Sequence, residues 1–174
     1  MGKNDRGDGC APVGSPRLQA GERGEGMPNA ERVLHEKQVE GRGGIHTIRP
    51  DATVLDAAEV MNRERIGSVV VVDANGQLAG IFTERDILTR VIADERRPQE
   101  IRVGDVMTTP VACCEPRTPL EELRTLMRQK RVRHVPVVDQ GRVVGMISIG
   151  DLNAAEAQVM IETISYLERY MYQP

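Results

Sequence analysis

One segment of this chain is written twice. Gly80-Ile81-Phe82-Thr83-Glu84-Arg85-Asp86 returns, loosely copied, as Gly145-Met146-Ile147-Ser148-Ile149-Gly150-Asp151. Thr83 and Ser148 lie 65 residues apart, as do Asp86 and Asp151. Further upstream Val69–Asp73 returns as Val135–Asp139, Met61 as Met127 and Pro50 as Pro116, each at an offset of 66. The offset drops by one between Asp73 and Gly80, where the second copy's turn is one residue shorter, and turns are where chains tolerate such changes. A repeat of this length limits the fold to two copies of one supersecondary unit, stacked so that each buries what it cannot bury alone.

The elements of the unit follow from periodicity and turn chemistry. In the first copy, Ile45–Ile48 is a short strand stopped by Pro50. Asp51 or Thr53 then caps a helix with Val54, Ala57, Ala58 and Met61 on one face. Ser68–Asp73 is a β-branched run, Asn75-Gly76 is a hairpin turn, and Gln77–Phe82 is the return strand. A helix over Glu84–Ala93 carries Ile87, Leu88, Val91 and Ile92. The second copy begins at Val103–Met107, with a strand at Val111–Cys114 and a helix opened by Thr118-Pro119 that turns Leu120, Leu123, Leu126 and Met127 inward. Its hairpin is Val135–Asp139 with Val143–Ile147, and its last helix runs from about Asp151 to Tyr170. The expected class is α+β, two β-α-β-β-α units.

Four segments result. Residues 1–29 hold seven Gly and three Pro and few apolar side chains, so they are expected to be a disordered tail. Unit one spans 30–97, with a leading helix Ala30–Gln38 capped by Asn29 and a flexible turn at Gly41–Gly44; the charged, Pro-containing run Arg96–Glu100 connects it to unit two. Unit two spans 98–155. Residues 156–174 form a helical extension in which Met160, Ile164, Leu167 and Met171 fall at heptad spacing, a packing or dimer seam.

Composition removes several function classes. A net charge of −3 gives no footprint for nucleic acid. No apolar run reaches the ~20 residues needed to span a bilayer, and the N-terminus has no secretory apolar region. Three cysteines, two of them adjacent at Cys113 and Cys114, make no disulfide framework, and a reducing cytosol is the simplest compartment. Cys113 and Cys114 alternate across a strand, one expected in the core and one partly exposed. No phosphate-binding GxxxxGK[ST] loop, HExxH or metal-spaced Cys/His set is present. The expectation is a non-enzymatic protein needing no metal.

The repeated Ser/Thr-x-x-Asp is, on its residues alone, a helix-capping signature with the Asp in the first turn. Its doubling after a Gly-led apolar strand, together with Pro50-Asp51-Ala52-Thr53-Val54, Ile66-Gly67-Ser68 and Arg131-Val132-Arg133-His134-Val135-Pro136, goes further. With these motifs the chain resembles a tandem pair of CBS domains, named after cystathionine β-synthase, over about residues 30–155. It is most similar to the small stand-alone CBS-pair proteins of bacteria. The resemblance implies two units about a pseudo-twofold axis, two clefts between their sheets, adenine nucleotides bound there, and a homodimer.

On that resemblance Asp86 and Asp151 accept from the ribose hydroxyls, and Thr83 and Ser148 bond ribose or the α-phosphate. Ile45, Ile66, Ile81, Val111, Val132 and Ile147 are the implied walls of an adenine slot. Arg133 and His134 reach phosphate, with Arg131 and Arg85 as further candidates. Gly67 and Ser68 match Arg133 and His134 and carry no charge, so the two clefts are expected to be unequal. The functional expectation is a cytoplasmic sensor of adenine nucleotide, AMP or ATP foremost, acting on a separate effector protein. The alternative is a protein-interaction module that binds no nucleotide. His134 also fits a surface or interface histidine, and Thr83 and Ser148 also fit plain helix caps.

Overall fold

The computed structural model describes residues 10–12 and 28–171. Of the expected tail only Cys10–Pro12 and 28–29 fall within these; the remainder of 1–29 and residues 172–174 lie outside the described residues. Cys10–Pro12 forms a strand, β1, parallel to β5 (Val111–Cys113). A strand therefore stands inside a segment that composition marks as unstructured.

The first repeat is β2 (Thr47–Ile48), α2 (Val54–Glu64), β3 (Ser68–Val72), β4 (Leu78–Thr83) and α3 (Glu84–Ile87), the last continued by a π-helical stretch over Leu88–Ile92. Preceding it is α1 (Ala30–Val39), and α4 (Val103–Val106) follows it. The second repeat is β5, α5 (Leu120–Lys130), β6 (His134–Asp139), β7 (Arg142–Ser148) and α6 (Ile149–Met171).

Local chemistry sets the element ends. Asn29 Oδ1 accepts from the Arg32 N–H at 3.0 Å and opens α1. Of the two candidates for α2, Thr53 is the cap, in a reciprocal box with Asp56. Both central helices end on an arginine in the left-handed region, Arg65 at φ 55° and Arg131 at φ 54°. In the first hairpin Asp73 Oδ1 gathers the N–H groups of Asn75 and Gln77 at 2.8 and 2.9 Å, and Gly76 takes φ 77°. The shorter second hairpin instead turns on Gln140 and Gly141, with φ 47° and 81°. Pro119 precedes α5 at the cap position instead of occupying its first turn as expected.

The sheets keep the duplication. β2 pairs parallel to β3, and β3 pairs antiparallel to β4. In the second unit β6 pairs antiparallel to β7. Cys114 bridges β6 through its N–H to Pro136 O at 3.0 Å and its C=O from the Val138 N–H at 2.8 Å. The bridge Cys114↔Val137 corresponds to the pair Ile48↔Val71 at the repeat offset of 66. Each hairpin carries an irregularity at the same place, between Val71 and Val72 and between Val137 and Val138.

The helices are exchanged across the repeat. α1, read from sequence as the start of unit one, buries Ala30 and Val33 in the second core with Leu123, Leu126, Met127, Val135, Ile147 and Leu152. The first core, built on Val54, Met61, Val69, Phe82 and Val91, is closed by Val103 and Val106 of α4. A third apolar cluster joins the two sheets through Val70, Leu78, Ile81, Val111 and Cys113. The exchange explains the glycine that opens each motif copy. A Cβ on Gly80 would stand 2.4 Å from Met107 Sδ, and one on Gly145 would stand 2.4 Å from Leu34 Cδ2. Neither position needs an unusual backbone; each needs the space in which a side chain from the exchanged helix lies on the strand.

Two apolar expectations change. In the helix after β4 Val91 is fully buried, whereas Leu88 and Ile92 face outward. Cys113 and Cys114 are both buried, so strand alternation does not send one outward. The main chain at Cys114 has already left β5 to bridge β6. Cys113 is disulfide-bonded, a bridge that the reading of the three cysteines as making no disulfide framework did not foresee. Burial, with the charge of Glu115 adding to it, pushes the Cys114 thiol up to about 12. No helix among the described residues is long and apolar enough to cross a membrane.

Candidate functional site

Each motif copy places its carboxylate at the head of a helix. In the first copy Asp86 Oδ2 accepts from the Thr83 N–H at 2.9 Å and Thr83 Oγ1 at 2.6 Å, while Thr83 Oγ1 accepts from the Asp86 N–H at 3.3 Å. In the second, Asp151 Oδ2 accepts from the Ser148 N–H and Oγ, both at 2.7 Å, and Ser148 Oγ accepts from the Asp151 N–H at 3.2 Å. Both carboxylates are buried. The preceding backbone is duplicated as well: the Glu84 N–H donates to Gly67 O at 3.1 Å, and the Ile149 N–H to Arg133 O at 2.9 Å.

The two carboxylates differ in what else they touch. Asp86 Oδ1 accepts from Thr108 Oγ1 at 3.0 Å. Arg90 Nη1 stands 3.4 Å from the same oxygen and donates to Val106 O and Met107 O, closing the end of α4. Asp151 Oδ2 receives the Lys37 ammonium at 2.9 Å, and Lys37 also donates to Met146 O at 2.8 Å. Arg42 Nη1 lies 3.7 Å from Asp151 Oδ1 and also pairs with Glu40. Burial works to raise the Asp151 carboxyl, but the donors on Ser148 and the Lys37 ammonium outweigh it and hold the group below the usual carboxylate range.

Lys37, Arg42, Arg90 and Thr108 were not legible as site residues in the sequence. Lys37 and Arg42 reach Asp151 from α1 and the turn after it, Thr108 reaches Asp86 from just beyond α4 at the repeat offset of 66 from Arg42, and Arg90 lies one turn after Asp86 on the same helical run.

Beside Asp151 a groove of about 380 Å³ opens between α1 and α6, within the range of about 300–1,000 Å³ typical of small-molecule sites. Arg32, Lys37 and Arg42 supply positive charge to its wall, Glu36, Glu40 and Glu162 negative charge, and Ala154 and Ala155 a small apolar floor. Within it Arg32 pairs with Glu36, Arg42 with Glu40 and Lys37 with Asp151, so the lining is polar and of mixed charge.

Four of the six expected adenine walls are two pairs at the repeat offset of 66, Ile45 with Val111 and Ile66 with Val132. Ile66 packs against the first core. Ile147 is inside the second core and Val132 lies against it. Ile81 and Val111 belong to the cluster between the sheets, with Ile45 at its margin.

Arg85, Arg131 and Arg133 are all exposed, and the Arg131 backbone forms the left-handed end of α5. His134 is half-buried beside Ser148 in the β6–β7 register. Burial pushes its imidazole below the usual value; the carboxylates of Asp151 and Glu84 pull the other way, and Lys37 and Arg133 add to the depression. His134 is therefore within electrostatic reach of one carboxylate from each unit. Across the pair, Gly67 leaves the space that Glu84 fills, since a Cβ there would stand 3.2 Å from Glu84 Oε2. Among the described residues no group of three or more His, Cys, Asp or Glu is placed to hold a metal ion.

Comparison with known proteins agrees with the duplication. The CBS domain family model matches the chain twice, over residues 42–93 and 103–157. The CBS domain-containing protein CBSX3, mitochondrial, of Arabidopsis thaliana is 37% identical over 143 residues, covering 80% of this chain and 69% of that protein. The CBS domain-containing protein YhcV of Bacillus subtilis is 37% identical over 108 residues, 62% of this chain and 76% of the relative. Among solved structures, the CBS-domain containing protein ATU1752 from Agrobacterium tumefaciens superposes with a TM-score of 0.69 at 35% identity, covering 78% of this chain and 99% of that one.

Proposed function

The chain belongs to the CBS-domain family, as a pair of such domains in one polypeptide, and we propose that it is a non-enzymatic sensor of adenine nucleotide, AMP or ATP. The observation that carries the proposal is the pair of buried motif carboxylates, Asp86 and Asp151, held in matching geometry at two helix heads. Vicinal ribose hydroxyls are donors, and a charged acceptor strengthens such a bond to roughly 1.5–3 kcal/mol. The following helix amides offer a partial positive end to phosphate. Nucleotide occupancy would act through its differential affinity for two arrangements of the pair.

In this proposal the protein works as a cytoplasmic homodimer, with Met160, Ile164, Leu167 and Met171 of α6 and Leu88 and Ile92 of the π-helical stretch as exposed apolar surface for the second copy. The Cys113 bridge weighs against the cytoplasmic part, since reducing compartments keep thiols apart.

One observation favours the rival reading, a protein-interaction module without nucleotide. Both carboxylates are already satisfied by their own capping residues and by neighbours. The two readings separate on purified protein. The sensor gives a saturable thermal shift with AMP, ATP or NAD and releases adenine nucleotide on denaturation. An interaction module gives neither.

A further inference from the structure

The third partner of each motif carboxylate sets the two ends of the molecule apart. At Asp86 it is a neutral hydroxyl, Thr108 Oγ1. The nearby Arg90 is committed to two carbonyls at the end of α4. At Asp151 it is the Lys37 ammonium, only 16% exposed, whose other hydrogen bond goes to the single carbonyl of Met146. Arg42 stands beside it, exposed, 3.7 Å from the second carboxylate oxygen, and the groove between α1 and α6 opens there. A lysine ammonium is a point charge on a flexible stem, able to move between anions that lie within its reach.

Resting on the reading that a ribonucleotide docks on the motif carboxylates, we infer that Lys37 is the phosphate-recognising residue of the Asp151 end, parked on the carboxylate until a ribose phosphate arrives. A ribose diol that donates to Asp151 competes for the oxygen that Lys37 holds. A bare nucleoside offers the displaced ammonium no anion, and a part-buried charge that loses its partner is costly. A nucleoside phosphate supplies the anion, and Arg42 adds a second cation beside it. The Asp151 end therefore accepts 5′-phosphorylated ribonucleosides and rejects nucleosides. At the Asp86 end the cation beside the carboxylate, Arg90 at 3.4 Å, is also held by Val106 O and Met107 O, so that end lacks this filter. Because Lys37 sits on α1, release of the ammonium also alters how α1 is held on the second unit.

The test is calorimetric titration of adenosine and AMP into the wild-type protein, Lys37→Met and Arg42→Met. Wild type is expected to prefer AMP over adenosine by about tenfold or more, which is about 1.4 kcal/mol. Lys37→Met brings that preference to within about threefold while adenosine binds as well as before or better. Arg42→Met, at an exposed position that supports no core, keeps the fold and loses part of the preference. Equal weakening of both ligands by Lys37→Met, or an unchanged preference in Arg42→Met where Lys37→Met does not fold, overturns the assignment. A wild type that binds AMP with a preference intact in both variants removes Lys37 alone. A wild type that binds neither ligand removes the nucleotide reading and this inference with it.

Discussion

At the scale of the residue, Asp86 and Asp151 carry two duties that pull on the same atoms. Each closes a helix cap, and each is the candidate ribose acceptor. The cap contributes to stability even without ligand. Thr83→Ala and Ser148→Ala should each cost about 1 kcal/mol, the usual loss on removing a helix N-cap. Asp151→Ala should cost more than either, about 1–3 kcal/mol, because it also leaves the Lys37 ammonium without its partner. Denaturant melts of the three variants check this, and equal values for Asp151→Ala and Ser148→Ala would contradict it. Asparagine, which keeps the shape, is therefore the better replacement when binding is the question.

His134 and Asp151 set the dependence on pH. His134 is depressed in the folded state, so the unfolded chain takes up that proton first. Its contribution to stability is present above the unfolded value near 6.5 and is lost as pH falls from there through the folded value. Asp151 is depressed as well, and its contribution is lost only in stronger acid, below 3.8. The melting temperature should fall from pH 7.5 to 5.5, and His134→Gln should flatten that fall while leaving the acid limb below pH 4 in place. A variant whose curve stays parallel to wild type throughout would show that another group governs the window.

At the scale of the element, most of what forms was legible in the sequence. The paired Val runs, Asn75-Gly76, Asn29 and the three Ser/Thr–Asp capping boxes are local signals, and local signals survive in one dimension. Helix exchange is different. Nothing in Ala30–Val39 tells that its apolar residues complete the second core, because an amphipathic stripe records that a face is covered without recording by what. The trace it leaves is Gly145, and its counterpart Gly80 records α4 in the same way. Gly145→Ala drives a methyl into Leu34 and should cost about 1–3 kcal/mol, the usual range for overpacking. Leu34→Ala in the same chain should recover part of that loss by clearing the space. Additive losses in the double variant, measured by denaturant unfolding, would show that α1 does not lie where it is described.

The candidate site was read in part for the same reason. Thr83, Asp86, Ser148 and Asp151 lie inside the copied segment and were found by its copying. The walls of the slot rested on the resemblance, and an apolar side chain serves a core as readily as a ligand surface: Ile147 is fully buried in the second core and Ile66 packs against the first. Lys37 and Arg42 come from sequence more than a hundred residues away from Asp151, and the residue 66 after Arg42 is Thr108, which bonds the matching oxygen of Asp86 with a neutral hydroxyl.

At the scale of the whole molecule, the long α6 leaves Met160, Ile164, Leu167 and Met171 exposed along one spacing, beyond what the two units can cover. Under the dimer proposal, Ile164→Glu with Leu167→Glu should convert a dimer at micromolar concentration to a monomer in sedimentation velocity without lowering the melting temperature of the units. A monomeric wild type, or a dimer indifferent to both charges, would remove α6 from that role.

The central claim is that the duplicated carboxylates form nucleotide sites. It is tested most directly by calorimetric titration of AMP into wild type, Asp86→Asn, Asp151→Asn and the double variant, with folding of each confirmed by its melt. Saturable binding in wild type, weakened about tenfold or more by at least one single variant and abolished in the double, is the predicted result, and the variant that matters identifies the occupied site. Identical binding in the folded double variant, or no heat in any of the four, would contradict the account.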